Sequence, residues 1–471
     1  MVAMQRHGTF SHTPQTRKVA DDHAGLPTPR RWWAIAAISF GTALLVIDGA
    51  IANVALPTIA RELSVSEAAV TNVVTVYQLV LVMLLLPFSS LGDRLGHRTL
   101  YQAGQGLFMV ASAACFFVES FTVLLLLRAV QGLGAAMALS VSAAMLRQIY
   151  PASKLGTGMG VNSVIVASSA ALAPTLGGYI VGNLPWQIVF VAAAPMAVVS
   201  LLMGRSLPDP EPREQPPKWR SAVLSALTML FLVGGIQLGT HDALGWGIAT
   251  FVAGVVLLLL LIRRERRRDA PVFPVDLLSK PVLGLSALAN FCSFIAAGAL
   301  MLGLPFRLEI GMGYDPQTVG LLLLPFPLTM LVVSPISGWA SDRIAATKLG
   351  VTGMSIAIVG LLLLATMPDQ PGEWGIAWRL SLTALGFGLF FSPNSRLLIG
   401  RAPRDRAAAA GGLLSTSRLF GQTMAAVVIG IVLASGLGLG PTPLYVSCAL
   451  AVVAAMASVL RFSQRDNPAN G

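Results

Sequence analysis

The sequence predicts an all-α integral membrane protein with fourteen transmembrane helices arranged as six, two and six, the two sixes being pseudo-symmetric bundles. Three observations predict it. The chain has 471 residues, 55% of them hydrophobic and only 11% charged, whereas a globular chain has roughly a quarter of its residues charged. Its apolar residues gather in long runs, such as Ala34–Ile47 and Val255–Ile262, divided by short polar connectors. Finally, Leu91-Gly92-Asp93-Arg94 follows the second run and Ala340-Ser341-Asp342-Arg343 the tenth, an internal repeat in the same place of each six-helix block.

The runs follow from the bilayer. A helix satisfies its own backbone groups in lipid and needs roughly 20 residues to cross. The first block takes spans at 32–54, 70–91, 100–118, 121–146, 157–181 and 187–206. A Pro-rich stretch at 208–217 then leads into two further spans at 220–239 and 245–262. The second block takes 282–306, 317–340, 349–367, 376–393, 407–434 and 443–460. In domain terms these are a cytoplasmic tail at 1–31, a six-helix bundle at 32–206, a linker with two extra helices at 207–280, a second bundle at 281–460 and a tail at 461–471.

Charge sets the orientation. With the N-terminus inside, the inner connectors hold Arg94, Arg98, Arg147, Lys154, Arg205, Arg213, Lys218, Arg220, Lys280, Arg343, Lys348, Arg396, Arg401, Arg404, Arg406 and the run Arg263-Arg264-Glu265-Arg266-Arg267-Arg268; the outer ones hold Arg61, Arg307 and Arg379. Lys and Arg mark the cytoplasmic side. Both termini are therefore expected in the cytoplasm, with the chain multi-pass in the cytoplasmic (inner) membrane. The net charge of +11 belongs to this pattern and not to a nucleic-acid surface, which would cluster its charge on one soluble face.

Metal, cofactor and enzyme chemistry find no support. Cys115, Cys292 and Cys448 stand singly in apolar runs, and His7, His12, His23, His97 and His241 form no ligand spacing. No GxxxxGK[ST] phosphate loop occurs. The protein is expected to be no enzyme and to work without a cofactor or metal. Its partners are expected to be a small-molecule substrate, protons and the lipid bilayer, and the chain is expected to act as a monomer.

Ionisable residues at membrane depth are costly and are functional candidates by default. Asp48 is the one acid placed well inside a span, and Arg128 and Arg418 are two bases so placed. Asp48 lies sixteen residues past Trp32, about 24 Å from the inner surface. Arg128 lies seven residues into a descending span, about 20 Å from that surface. The two share a depth to within a helical turn, and Gln131 lies one turn on from Arg128, where it can orient the guanidinium. Gly132, Gly134, Ala135 and Ala136 suit close helix packing.

Four segments carry a resemblance. Ile47-Asp48-Gly49-Ala50-Ile51-Ala52-Asn53-Val54-Ala55-Leu56-Pro57 resembles a first-helix signature, and Ser89-Ser90-Leu91-Gly92-Asp93-Arg94-Leu95-Gly96-His97-Arg98 a cytoplasmic-loop motif. Arg128-Ala129-Val130-Gln131-Gly132-Leu133-Gly134-Ala135-Ala136 is similar to a fourth-helix motif, and Ala173-Pro174-Thr175-Leu176-Gly177-Gly178 to a fifth-helix antiporter motif, with Ala173 where Gly is usual. Together they resemble the major facilitator superfamily, in particular its fourteen-helix drug–proton antiporters of multidrug efflux type.

That resemblance implies the major facilitator fold and alternating access. It implies proton coupling through Asp48, Arg128 and Gln131. It implies a cytoplasmic gating motif of Asp93, Arg94, Gly96 and Arg98, whose Asp faces the start of the helix near Ala407, and a helix-five motif of Pro174, Gly177 and Gly178, with Pro174 bending its helix. Phe291, Phe294, Met301, Phe390, Phe391 and Asn394 fall on helices that line the cavity in the family, so with Asp48 they are the expected substrate-binding residues.

The expected function is proton-coupled efflux of small amphipathic, cationic compounds, a cation competing with the proton for Asp48. The alternative is a dedicated proton-linked exporter of one endogenous metabolite or self-made antibiotic. A single buried acid also predicts that monovalent cations are handled better than dications.

Overall fold

A computed structural model describes residues 25–151, 155–208, 219–239, 244–266, 275–341, 343–368, 371–402 and 407–463. All regular structure among them is helical. In chain order the elements are α1 (Arg30–Glu62), α2 (Glu67–Val70), α3 (Asn72–Leu95), α4 (His97–Cys115), α5 (Phe121–Ile149), α6 (Leu155–Asn183), α7 (Ile188–Val191) and α8 (Ala194–Met203). There follow α9 (Trp219–Gly239), α10 (Leu244–Glu265), α11 (Val275–Leu278), α12 (Pro281–Phe306), α13 (Pro316–Leu323), α14 (Pro325–Ala340), α15 (Ala346–Ala365), α16 (Gly372–Gly400), α17 (Ala407–Ala434) and α18 (Thr442–Ser463).

Eleven spans among the described residues are long and apolar enough to cross a membrane, fewer than the fourteen expected. The shortfall has physical reasons. His97, Arg98, Gln102 and Gln105 dilute α4, the apolar part of α9 covers only Arg220–Ile236, and many side chains of α6 lie outside the described set. Two expected spans are broken. The sixth divides into α7 and α8, and the tenth into α13 and α14, where Pro325 opens the second piece. The ninth is longer than expected, running through a π turn, Arg307–Gly311, beyond α12.

The helices pack as a repeated pattern. In the first block α4 and α3 pack on α5, α1 on α6 and α8, and α4 on α8; in the second, α15 and α14 pack on α16, α12 on α17 and α18, and α15 on α18. The same device closes equivalent crossings. A Cβ on Gly104 would meet the Gly134 carbonyl oxygen at 2.6 Å, and one on Gly353 the Gly386 carbonyl oxygen at 2.7 Å. Small residues let backbones approach where lipid supplies no hydrophobic drive between helices. The chain past the second block is not all tail: α18 runs to Ser463, and Arg461 is buried.

The blocks meet at the end of the bundle that the charge pattern puts outside. A Cβ on Gly178 of α6 would meet the Pro316 carbonyl oxygen at 2.6 Å and Gly320 Cα at 2.8 Å, and one on Gly430 of α17 would meet Thr71 Oγ1 at 2.8 Å. Between the blocks in sequence, α9 and α10 form a hairpin whose α9 packs on α3 and touches α17.

Candidate functional site

Asp48, Arg128 and Gln131 come together, fully buried inside the first block. Arg128 Nη1 lies 2.9 Å from Asp48 Oδ2 and donates to Gln131 Oε1 at 2.8 Å, while its Nε donates to the Val73 carbonyl at 3.1 Å. Gln131 Nε2 donates onward to Ser112 Oγ at 2.8 Å. The guanidinium lies 4.2 Å from the Tyr77 ring centroid and 5.2 Å from that of Phe190. Five helices, α1, α3, α4, α5 and α7, thus hold one charged pair. Gln131 does orient the guanidinium, through its side-chain oxygen.

The other Asp48 oxygen, Oδ1, is buried without a hydrogen-bond partner. Next along the chain, a Cβ on Gly49 would meet nothing within 4 Å. A buried carboxylate with one oxygen committed to a cation and one bare is chemically unfinished. Leaving a buried acceptor unmade is expensive; a proton on the carboxyl removes its buried charge and loosens its hold on Arg128.

The helix-five motif serves two contacts. Gly177 faces α1, where a Cβ would meet Ile51 at 3.0 Å, and Gly178 faces the second block at Gly320. Around Pro174 the α6 helix is continuous from Leu155 to Asn183. In the loop motif Gly96, at φ +93°, caps both α3 and α4; a left-handed φ favours glycine. Arg94 is exposed and Arg98 half-buried. The side chains of Asp93 and of residues 407–409, which open α17, lie outside the described residues, as does Asp342 of the repeated motif.

The expected substrate residues scatter. Phe294 and Phe391 stack at 4.3 Å, and Phe291 stacks on Phe420 at 5.3 Å. All four are only partly buried, as is Met301. Phe390 is instead fully buried, facing Gly350 of α15. Asn394 is also fully buried and serves as a tie: its Oδ1 accepts from Arg461 Nη1 at 2.7 Å and its amide donates to the Ser286 carbonyl at 3.2 Å. These two lie in packed helix crossings, because a helix carries as many residues toward its neighbours as toward a cavity.

A second acid was missed. Glu309 is buried in the π turn, and its Oε1 lies 2.8 Å from Arg61 Nη2 at the end of α1. Thr58 Oγ1 donates to the same oxygen at 3.3 Å, and Oε2 has no partner. Arg307 beside it donates to the Leu364 carbonyl at 3.0 Å. Asp48 is therefore not the only buried acid, and the preference for monovalent over divalent cations loses its premise. Just beyond, Asp315 caps α13, and hydrogen bonds from the Thr318 hydroxyl and amide hold its carboxyl below the usual range. Among the described residues no group of His, Cys, Asp and Glu could hold a metal.

A doubled helical block, a charged pair buried in one half and small-residue contacts joining the halves at one end are the build of a two-block membrane transporter. The model of the Major Facilitator Superfamily matches residues 38–426 and, again, 286–471. The chain belongs to that superfamily. It is 40% identical over 446 residues to the uncharacterized transporter YebQ of Escherichia coli, covering 93% of this chain and 97% of that protein. It is 30% identical over 412 residues to the multidrug efflux pump LfrA of Mycolicibacterium smegmatis, covering 86% and 81%. Among solved structures, the fold matches a bacterial homologue of the human lysosomal transporter Spinster, in an inward-facing and unoccupied conformation, with TM-score 0.67 at 16% identity, over 94% of this chain and 100% of that one.

Proposed function

We propose that the protein exports small amphipathic compounds in exchange for protons, crossing the cytoplasmic membrane with fourteen helices, six, two and six, and with both termini in the cytoplasm. The observation that carries this reading is the buried Asp48–Arg128 pair with Asp48 Oδ1 left bare. A proton arriving at that carboxyl discharges it and frees the guanidinium, which Tyr77 and Phe190 can still hold by their faces. The halves then rock about the contacts at Gly178 and Gly320. Inward return of the proton supplies about 2.3 kcal/mol per 100 mV of membrane potential and about 1.4 kcal/mol per pH unit. In the same cycle Asp93, Arg94, Gly96 and Arg98 gate the cytoplasmic side.

The kinship with a multidrug efflux pump supports an amphipathic cargo, and the partly buried aromatic rings of Phe291, Phe294 and Phe391 suit one. A cationic cargo has less support, because Arg128 already neutralises the Asp48 carboxylate. The deciding test uses purified protein in liposomes, following a lipophilic dye under an imposed pH gradient. The wild type should accumulate the dye against its gradient, and Asp48→Asn should not. Gradient-driven accumulation by Asp48→Asn at near wild-type rate overturns the coupling assignment.

A further inference from the structure

The sequence singles out Arg418 as a base in mid-span, and the coupling site does not use it. It lies on α17, eleven residues from the helix start at Ala407, about 16 Å along the axis. Its side chain is exposed, and it has no hydrogen bond or ion pair with any described residue. A guanidinium exposed at that depth faces either hydrocarbon or a water-filled cavity. Charged groups within spans face bundle interiors and cavities because hydrocarbon is the costly alternative.

The helix itself decides between the two. At 3.6 residues per turn, Gly411, Ser415, Arg418 and Gln422 fall within a strip about 60° wide. The opposite strip carries Leu413, Phe420, Val427 and Ile431, the apolar face lipid or a neighbouring helix requires. The polar strip opens on space, since a Cβ on Gly411 would meet nothing within 4 Å. On one side it is bounded by α12, where a Cβ on Gly421 would meet Phe294 Cβ at 2.8 Å and one on Gly298 would meet Ala425 Cβ at 2.7 Å. The first block bounds the other side, at Gly430 and Thr71. Space between α12 and the first block is space between the two halves. Meanwhile Asp48 is held by Arg128 and Glu309 by Arg61, and the third buried acid, Glu265 in the last turn of α10, is itself engaged, so none of these three is left to answer Arg418.

We propose that Arg418, with Ser415 and Gln422 beside it, binds the anionic group of the transported compound, so that the cargo class is amphipathic organic acids and zwitterions. The inference rests on the transport reading above and adds the cargo's charge to it. A guanidinium pairs with a carboxylate through two parallel N–H···O bonds, a hydroxyl and an amide supply further donors, and the rings of Phe294 and Phe391 lie near enough to α17 to take the apolar part. An inside-negative membrane potential itself drives an anion outward, so export of such a cargo agrees with the direction of the cycle.

The test measures binding and flux separately on the full-length protein. Calorimetry in lipid nanodiscs compares 1-naphthylacetate, its methyl ester and 1-naphthylmethylamine, one apolar frame with three charges. The wild type should bind the acid at least tenfold more tightly than the ester or the amine. Arg418→Gln should erase that preference while leaving ester binding unchanged, which also certifies its fold, and Arg418→Lys should keep part of it. Absence of an acid preference in the wild type overturns the proposal, as does equal weakening of all three ligands in Arg418→Gln. Flux of the same compounds in liposomes under a pH gradient separates the two readings. Acid binding without gradient-driven flux defeats the transport reading and leaves the Arg418 site standing; flux without acid preference does the reverse.

Discussion

A charge pair sealed inside a helical bundle is an asymmetric object, and Asp48–Arg128 shows which partner has more to lose. Arg128 holds four groups besides its ion partner: the Val73 carbonyl, Gln131 and the faces of Tyr77 and Phe190. The Asp48 carboxylate holds Arg128 alone. Removing one member of a buried pair strands the other at a cost of about 3–5 kcal/mol. Arg128→Leu should therefore lower the thermal unfolding midpoint in detergent sharply, because it leaves an ionised carboxylate among apolar side chains. Asp48→Asn should cost much less, since the amide oxygen can still accept from Arg128 and its neutral NH2 needs little solvation. Adding Asp48→Asn to Arg128→Leu should recover part of the lost midpoint. Additive losses in the double variant would mean the two side chains do not act as a pair. This cluster was legible in the sequence, because polar residues in an apolar run stand out and helical rise converts their positions into depth. The bonds of Asn394 to Arg461 and Ser286 were not legible by the same means, since periodicity gives the depth of a residue and not which neighbour it meets. Only the structure turns it toward Arg461. Glu309 was hidden for a different reason: α12 continues past Pro305 into a π turn, where sequence alone suggests a connector.

At the scale of elements, two devices hold the halves together at one end, and their chemistry predicts unequal weights. The Arg61–Glu309 pair joins α1 to the turn after α12, but the Arg61 side chain is 59% exposed. Solvent screens such a pair to about 1 kcal/mol or less. The contact of α6 with α13 is backbone against backbone, with Gly178 and Gly320 at van der Waals limits. A methyl group cannot enter there unless the helices part, because neither the Pro316 carbonyl nor the Gly320 Cα can swing away as a side chain would. Gly178→Ala should accordingly shift the resting population toward a state open at this end, whereas Glu309→Gln should shift it little. Spin labels on α1 and α13 report the separation by pulsed resonance. A larger shift from Glu309→Gln than from Gly178→Ala would show that the ion pair, and not the glycine contact, closes this end. The glycines of the α6 motif were visible in the sequence, but their partner Gly320 was not. A contact between distant segments leaves no local pattern to read.

For the whole molecule, orientation rests on charge, and the structure sharpens the count. The outer connectors were expected to carry Arg61, Arg307 and Arg379. Each is engaged within the protein: Arg61 pairs with Glu309, Arg307 donates to the Leu364 carbonyl, and Arg379 donates to the Gly375 carbonyl at 2.6 Å and lies 4.6 Å from the Trp378 ring centroid. On the other side Arg94, Arg205, Arg263, Lys280, Arg343 and Arg401 belong to connectors or last turns, and Arg94, Lys280 and Arg401 are exposed. What orients a chain during insertion is positive charge near the helix ends that stays out of the translocated side. Three arginines with partners in the folded state weigh little against so many on the opposite side. Both termini should therefore lie in the cytoplasm. Green fluorescent protein fused after Gly471 should fluoresce and alkaline phosphatase fused there should be inactive, while phosphatase fused after Gly313, beyond α12, should be active. The reverse pattern would invert the whole assignment, turning the end closed by Gly178 and Gly320 toward the cytoplasm and making the same cycle one of uptake.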